Sequence, residues 1–415
     1  MKKIFKKMLI LIMVGILSVY LVACGKESKK ENSNLGKNNW ETILKNSKEK
    51  KVNIYMWGGS EEVNKYMDSF IAPKVKEKYN IDLKRVPIKD AKDMINKLLT
   101  EKQVNKKEGT IDVCWINGEN FKLAKDNSLL WGSFVDKLPN YNKYIDKSAK
   151  DMTKDFGEDT NGLEAPWGKA QFVLVYDSDK VKNPPKSMEE LKDWVKKNPG
   201  KFTYPAPPDF TGSAFVRQCL LGLVDDYSKF PSNVDEKKFS EDAKPLWNYL
   251  KEIKPNLWRE GKTYPESSGK LDELYAKGEV WMTMSYNPVH ASNKVRKGTF
   301  PKSTKTYVLD KGTLSNTHYL AIPFNAPNKE AAMVVIDFML SPEAQFEKVD
   351  PKVWGDGTVL SSEKLSKEQK EKLKSMINGE GTISQEELEK HRVPEIPSSY
   401  VEIIEKGWMD NVAKD

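Results

Sequence analysis

The stretch KVNIYMWGGSEEVNKYMDSFI, residues 51–71, decides the fold. Its first seven residues alternate in polarity and are rich in β-formers, which predicts a strand over 51–57. Gly58 and Gly59 then make a turn. Ser60 is placed to cap a helix, with Glu61 and Glu62 in its first turn. Val63, Met67, Phe70 and Ile71 fall on one face of that helix. The same alternation recurs downstream. IDLKRVPI (81–88) reads as a second strand and MINKLL (94–99) as the heart of a second helix. IDVCWI (111–116) reads as a buried parallel strand, and FKLAKDNSLL (121–130) continues as a helix. Strands that alternate with helices define the α/β class, with mixed, mostly parallel sheets flanked by helices.

The second half of the chain keeps this grammar. AQFVLVYD (170–177) is a long strand, and SMEELKDWVKK (187–197) is a helix with a capping box from Ser187 to Glu190. Residues 201–205 read as a strand, Pro207 and Pro208 stop regular structure, and Gly212 and Ser213 open a helix. LDELYAKGEVWMTMSYNPVH (271–290) gives a helix, a stop at Gly278 and a strand over 280–284 that runs into Tyr286 and Asn287. From 361 onward the chain is charged and mostly helical in pattern.

The front end is of another kind. Lys2, Lys3, Lys6 and Lys7 precede an apolar run over 8–22, which is short against the roughly 20 residues of a spanning helix. A basic segment, a short apolar stretch and small residues before a cut mark a secretory signal peptide, here residues 1–23. LVAC (21–24) resembles a bacterial lipobox, which implies that Cys24 becomes the N-terminus and carries a lipid. Residues 25–39 have one aliphatic side chain, Leu35, and so read as a flexible linker. Loss of four leader lysines lowers the formal charge from +8 to +4. That value, with no basic stripe interleaved with aromatics, argues against nucleic acid. Cys114 and Cys219 sit in apolar surroundings and read as buried free thiols. There is no HExxH, CxxC, P-loop, GxSxG or dinucleotide fingerprint, so neither a metal site, a cofactor nor catalysis is expected. About 375 residues after the leader exceed one typical core, which favours two domains.

Three segments carry a family resemblance. APWGKAQFVLVYDSD (165–179), GEVWMTMSYNP (278–288) and YLAIPFNAPNKEAAMVVIDFMLSPEA (319–344) resemble extracellular solute-binding proteins of the type II periplasmic-binding superfamily, the receptors of ABC importers. The likeness is greatest to the YnjB-like group within the thiamine-, iron- and polyamine-binding branch. It implies two lobes joined by two crossing strands, near Lys169–Phe172 and Leu320–Pro323. Lobe one is then 45–169 with 322–355, lobe two is 172–320 with 356–415, and 24–44 is the lipidated linker. It also implies a monomer tethered to the outer face of the cell membrane, handing its solute to a permease that a separate ATPase drives.

Where the solute sits follows from the fold class. In open α/β sheets ligands bind beyond the carboxyl ends of the strands. Those ends present Trp57, Gly58, Gly59 and Ser60; Asn117, Glu119 and Asn120; Thr211, Gly212 and Ser213; and Tyr286 with Asn287. Trp167 opens the first crossing. Each has a plainer reading as a cap, a turn or core packing. Helix N-termini favour an anion. The aromatic residues with Glu119 and Asp209 favour an organic cation such as thiamine or a polyamine. A sugar or oxyanion remains an alternative ligand. A cell-surface hydrolase and a wall-adhesion protein are the rival classes.

Overall fold

The computed structural model describes residues 39–224, 229–377 and 383–414. The expected leader, Cys24 and most of the linker lie outside them. The described residues divide into two units, 39–46 and 47–414. In the first, Asn39 caps a short helix, its Oδ1 accepting from the Thr42 N–H at 3.0 Å.

In the second unit β1 (Lys51–Trp57) buries Val52, Ile54 and Met56 completely, as its alternation requires. It pairs in parallel with β2 (Asp82–Ile88), Lys51 opposite Asp82 and Trp57 opposite Ile88. β3 (Val113–Ile116) pairs in parallel with β1. β3 is shorter than expected because the Asp112 carboxylate takes the Asn53 and Asn328 N–H groups, at 2.8 and 2.9 Å. The helix after β1 buries Val63, Met67 and Ile71. A π-helical turn over Met67–Ile71 shifts its face and leaves Phe70 half-buried against Tyr66.

A small hairpin, β4 (Lys154–Asp155) with β5 (Glu158–Asp159), leads to β6 (Glu164–Gln171). The expected single strand over 170–177 is broken at Phe172. There the chain leaves one sheet and enters another as β7 (Val173–Asp177). β7 lies between β8 (Met282–Ser285) and β9 (Thr304–Tyr307), antiparallel to both. Residues 201–205 form no ladder, because their carbonyls serve separate segments: Lys201 accepts from Trp281 and Phe202 from Trp258. Pro205 has no N–H to donate.

β10 (Thr313–Ala321) lies within the six-stranded sheet that contains β1, β2 and β3. Its end pairs with β3, its start pairs with β11 (Arg392–Pro394), and β6 runs antiparallel along its other edge. The register of β6 and β10 runs from Gln171 opposite Ser315 to Glu164 opposite Ala321, with a shift between His318 and Tyr319. Gly168 faces His318 at the middle. A Cβ there would stand 2.2 Å from the Asp356 carboxylate, which Lys348 holds at 2.8 Å in full burial. Cys114 and Cys219 are free, buried, and in separate apolar clusters.

Two outcomes follow. Burial pushes both thiols up from their ordinary range, so in a Cys24→Ser variant a chromogenic disulfide reagent should label neither thiol until the protein is denatured. Glu164, at the start of β6, is buried with both oxygens unpartnered. Burial and the neighbouring Asp155 raise its pKa well above the usual carboxylate range. A carboxyl raised in the folded state stabilises below its unfolded pKa and loses that contribution as pH rises through the folded value. Glu164→Gln should therefore flatten the fall of melting temperature between pH 5 and pH 8 (about the usual working range). An unchanged slope would show that this group does not contribute.

Candidate functional site

The helix Phe210–Leu223 begins after the turn at Pro207 and Pro208. Asp209 caps it, accepting from the Gly212 N–H at 2.9 Å. Gly212 is needed for packing: a Cβ there would stand 2.1 Å from the Pro205 carbonyl oxygen. The helix is buried nearly all round, and Arg217 lies inside it at 1% exposure. A buried guanidinium is tolerated only when its charge and donors are met. Here Glu395 meets it in a bidentate pair, Nε to Oε2 at 2.8 Å and Nη2 to Oε1 at 3.0 Å. Burial opposes the charge on Arg217, and the Glu395 carboxylate more than offsets this, holding the group above its ordinary value.

The pair is the centre of a longer chain of polar contacts. Tyr286, just past β8, donates its hydroxyl to Glu395 Oε1 at 2.6 Å. Arg217 Nη1 donates to Ser213 Oγ at 2.7 Å, and that hydroxyl donates to Glu405 Oε1 at 2.8 Å. Glu405 belongs to the helix Val401–Trp408. Its other oxygen lies 3.8 Å from the Lys92 ammonium, in the helix that follows β2. The rings of Phe156 and Phe210 flank the Arg217 guanidinium at 5.7 and 6.0 Å, and Phe210 lies 5.1 Å from Tyr286.

The loop after β3 approaches the same groups. Gly118 donates its N–H to Asp155 at 2.6 Å, which fixes the start of the helix Glu119–Asp126. Glu119 accepts from the Asn120 side chain at 3.1 Å. Burial raises its pKa; Arg217 and Lys92 oppose that shift and Glu405 adds to it. The tail docks alongside, the Ser398 N–H donating to the Phe156 carbonyl at 3.0 Å. Glu119, Glu395 and Glu405 thus face Arg217 and Lys92, with the buried Asp155 beside Glu119 and Glu395.

The other expected site residues divide. Trp57 is 45% exposed, with its indole lying over Gly59. Gly58 and Ser60 serve the helix start: Gly58 O accepts from Asn64, and Ser60 Oγ accepts from the Val63 N–H. Asn117 is half-buried at the end of β3. Thr211 is buried in the first turn of its helix. Asn287 is engaged locally, its Oδ1 accepting from the Val289 N–H at 3.0 Å. Trp167 is fully buried among Trp115, Trp354 and His318, with centroids at 5.3, 5.3 and 6.3 Å, and a solute does not reach it as the protein stands. Reading the sequence missed Lys92, Phe156, Arg217, Glu395 and Glu405. Arg217 had a signal, as the lone charge in FTGSAFVRQCLLGL and four residues from Ser213. Glu395 and Glu405 had none, since they lie in a tail read only as charged helix. Elsewhere, a surface groove of about 670 Å³ is lined by Phe70, Tyr144, Phe346 and Met376, none of them in this set. Among the described residues no group of three His, Cys, Asp or Glu side chains is set to hold a metal ion, and no helix is long and apolar enough to cross a membrane.

Comparison with known proteins agrees with this architecture. The model of the bacterial extracellular solute-binding protein family matches residues 71–375. Protein YnjB of Escherichia coli is 38% identical over 339 residues, covering 81% of this chain and 87% of that protein. The thiamine-binding periplasmic protein of Salmonella typhimurium is 26% identical over 296 residues, 67% of this chain and 75% of that one. The substrate-binding protein of a spermidine/putrescine ABC transporter from Streptococcus pneumoniae superposes with a TM-score of 0.59 at 16% identity, over 86% of this chain and 99% of its own. It shares the two-lobed α/β fold. With that match over most of its length, the chain belongs to the bacterial extracellular solute-binding protein family.

Proposed function

We propose that this solute-binding protein captures a small organic cation between its two lobes and delivers it to the permease of an ABC importer. The observation that carries the reading is the charge count at the site. Arg217 is occupied by Glu395, while Glu119 and Glu405 stand beside it with Lys92 opposite them. Trp57 and Phe210, 45% and 44% exposed, are aromatic faces of the kind that bind cations. An oxyanion would need free N–H groups at the helix starts. Those of Gly212 and Ser213 are taken by Asp209 and that of Val63 by Ser60, while the helix Glu119–Asp126, which has no side-chain cap, opens on a carboxylate. The names of the thiamine-binding and polyamine-transporting relatives point the same way.

Capture works by closure. β6 and β10 connect the lobes, 45–169 with 322–355 on one side and 172–320 with 356–415 on the other. A solute that touches both lobes shifts the population toward the closed form, which the permease recognises. The protein acts as a monomer without catalysis. A lipid on Cys24, exposed by removal of residues 1–23, holds it at the outer face of the membrane.

Titration of the purified protein with thiamine, followed by tryptophan fluorescence and melting temperature, should give a saturable signal and a raised melting point. Trp57→Ala and Phe210→Ala, both at exposed positions, should weaken binding by about tenfold or more with little change in the unliganded melting temperature. A protein that ignores thiamine and polyamines but responds to maltose would replace the cation with a sugar.

A further inference from the structure

Lys92 occupies an unusual place in this network. It is carried by the helix Ala91–Gln103, after β2, yet its ammonium lies 3.8 Å from Glu405 in the C-terminal segment. Its side chain is 42% exposed, while that of Glu405 is 15% exposed. The rest of the network is tied down: Arg217 by Glu395 and Ser213, Glu395 by Tyr286, and one oxygen of Glu405 by Ser213. The second oxygen of Glu405 has the Lys92 ammonium opposite it, at a distance longer than a hydrogen bond. Lys92 is therefore the mobile positive charge of the set, and its flexible stem lets it leave.

Resting on the reading of the site as a cation receptor, we infer that Lys92 is an internal stand-in for the ligand: its ammonium covers Glu405 in the empty protein, and the positive group of an incoming organic cation displaces it. The charge count gives this a direction. With Lys92 in place the five groups carry a single excess negative charge. With Lys92 swung out into water they carry two. The site is thus matched to a ligand of low positive charge, and Lys92 penalises every cation by the attraction it must first break. Glu119 gains as well, because its like-charge neighbour Glu405 is then neutralised by the ligand. The competing role for this ion pair is a latch between lobes, in which Lys92 aids closure.

The two roles predict opposite signs. Thiamine, putrescine and spermidine, with one, two and three positive charges, would be titrated into the wild-type protein, Lys92→Met and Glu405→Gln, by calorimetry at low and high salt. Displacement requires Lys92→Met to bind thiamine about threefold tighter or more, and Glu405→Gln about tenfold weaker. The gain in Lys92→Met should grow with ligand charge and shrink at high salt. Unchanged or weaker binding by Lys92→Met overturns the inference while leaving the receptor reading in place. Absence of binding by all three cations overturns it too. Maltose and phosphate, titrated in parallel, then separate the cases: a response to either keeps a receptor for another solute, and silence removes the solute-capture reading with it.

Discussion

A guanidinium at 1% exposure is held by one carboxylate, and the site is organised around that contact. Arg217 comes from the helix Phe210–Leu223, Glu395 from a short tail segment between two prolines, and Tyr286 from just past β8. Three stretches distant in sequence are thereby fixed to one another by charge-assisted hydrogen bonds in a medium that water does not screen. Removing one partner of such a buried pair leaves the other uncompensated, at a cost of about 3–5 kcal/mol. The tail has further anchors. β11 extends the sheet beside β10, and Trp408 donates its indole N–H to the Tyr204 hydroxyl at 2.9 Å. The tail therefore forms one side of the candidate site, with Glu395 and Glu405 turned toward Arg217 and Ser213.

The second constraint is the ladder of β6 and β10, which stay paired antiparallel from Gln171 opposite Ser315 to Glu164 opposite Ala321. Its middle is crowded. Gly168 leaves room for Asp356, which Lys348 and His318 contact at 2.8 and 3.1 Å, and Trp167 seals the same region from one side.

Much of this was legible in the sequence because it rests on short-range rules. The alternation of KVNIYMW, the Ser60 and Ser187 caps and the apolar helix faces depend only on neighbours in the chain. The rule for strand ends led to Glu119, Ser213 and Tyr286, which the fold brings to one place. Long-range pairing was less accessible. The break at Phe172 depends on a handover between sheets, and the loss of a ladder at 201–205 depends on which segments lie opposite. Trp167 looked available because it opens the expected first crossing, but burial is a property of what packs above. Glu395 and Glu405 were illegible for the same reason: nothing local distinguishes a tail carboxylate that meets a buried arginine from one in water.

The most direct test is a crystal structure of the protein grown with thiamine or, failing that, with the solute that accompanies it from its native cells. The account requires the solute beside Phe210 and Trp57, with its positive group within hydrogen-bond or ion-pair distance of Glu405 or Glu119, and Arg217 still paired with Glu395. Density in the groove lined by Phe70, Tyr144, Phe346 and Met376, or a solute bound through Arg217 after the Glu395 pair has opened, would contradict it.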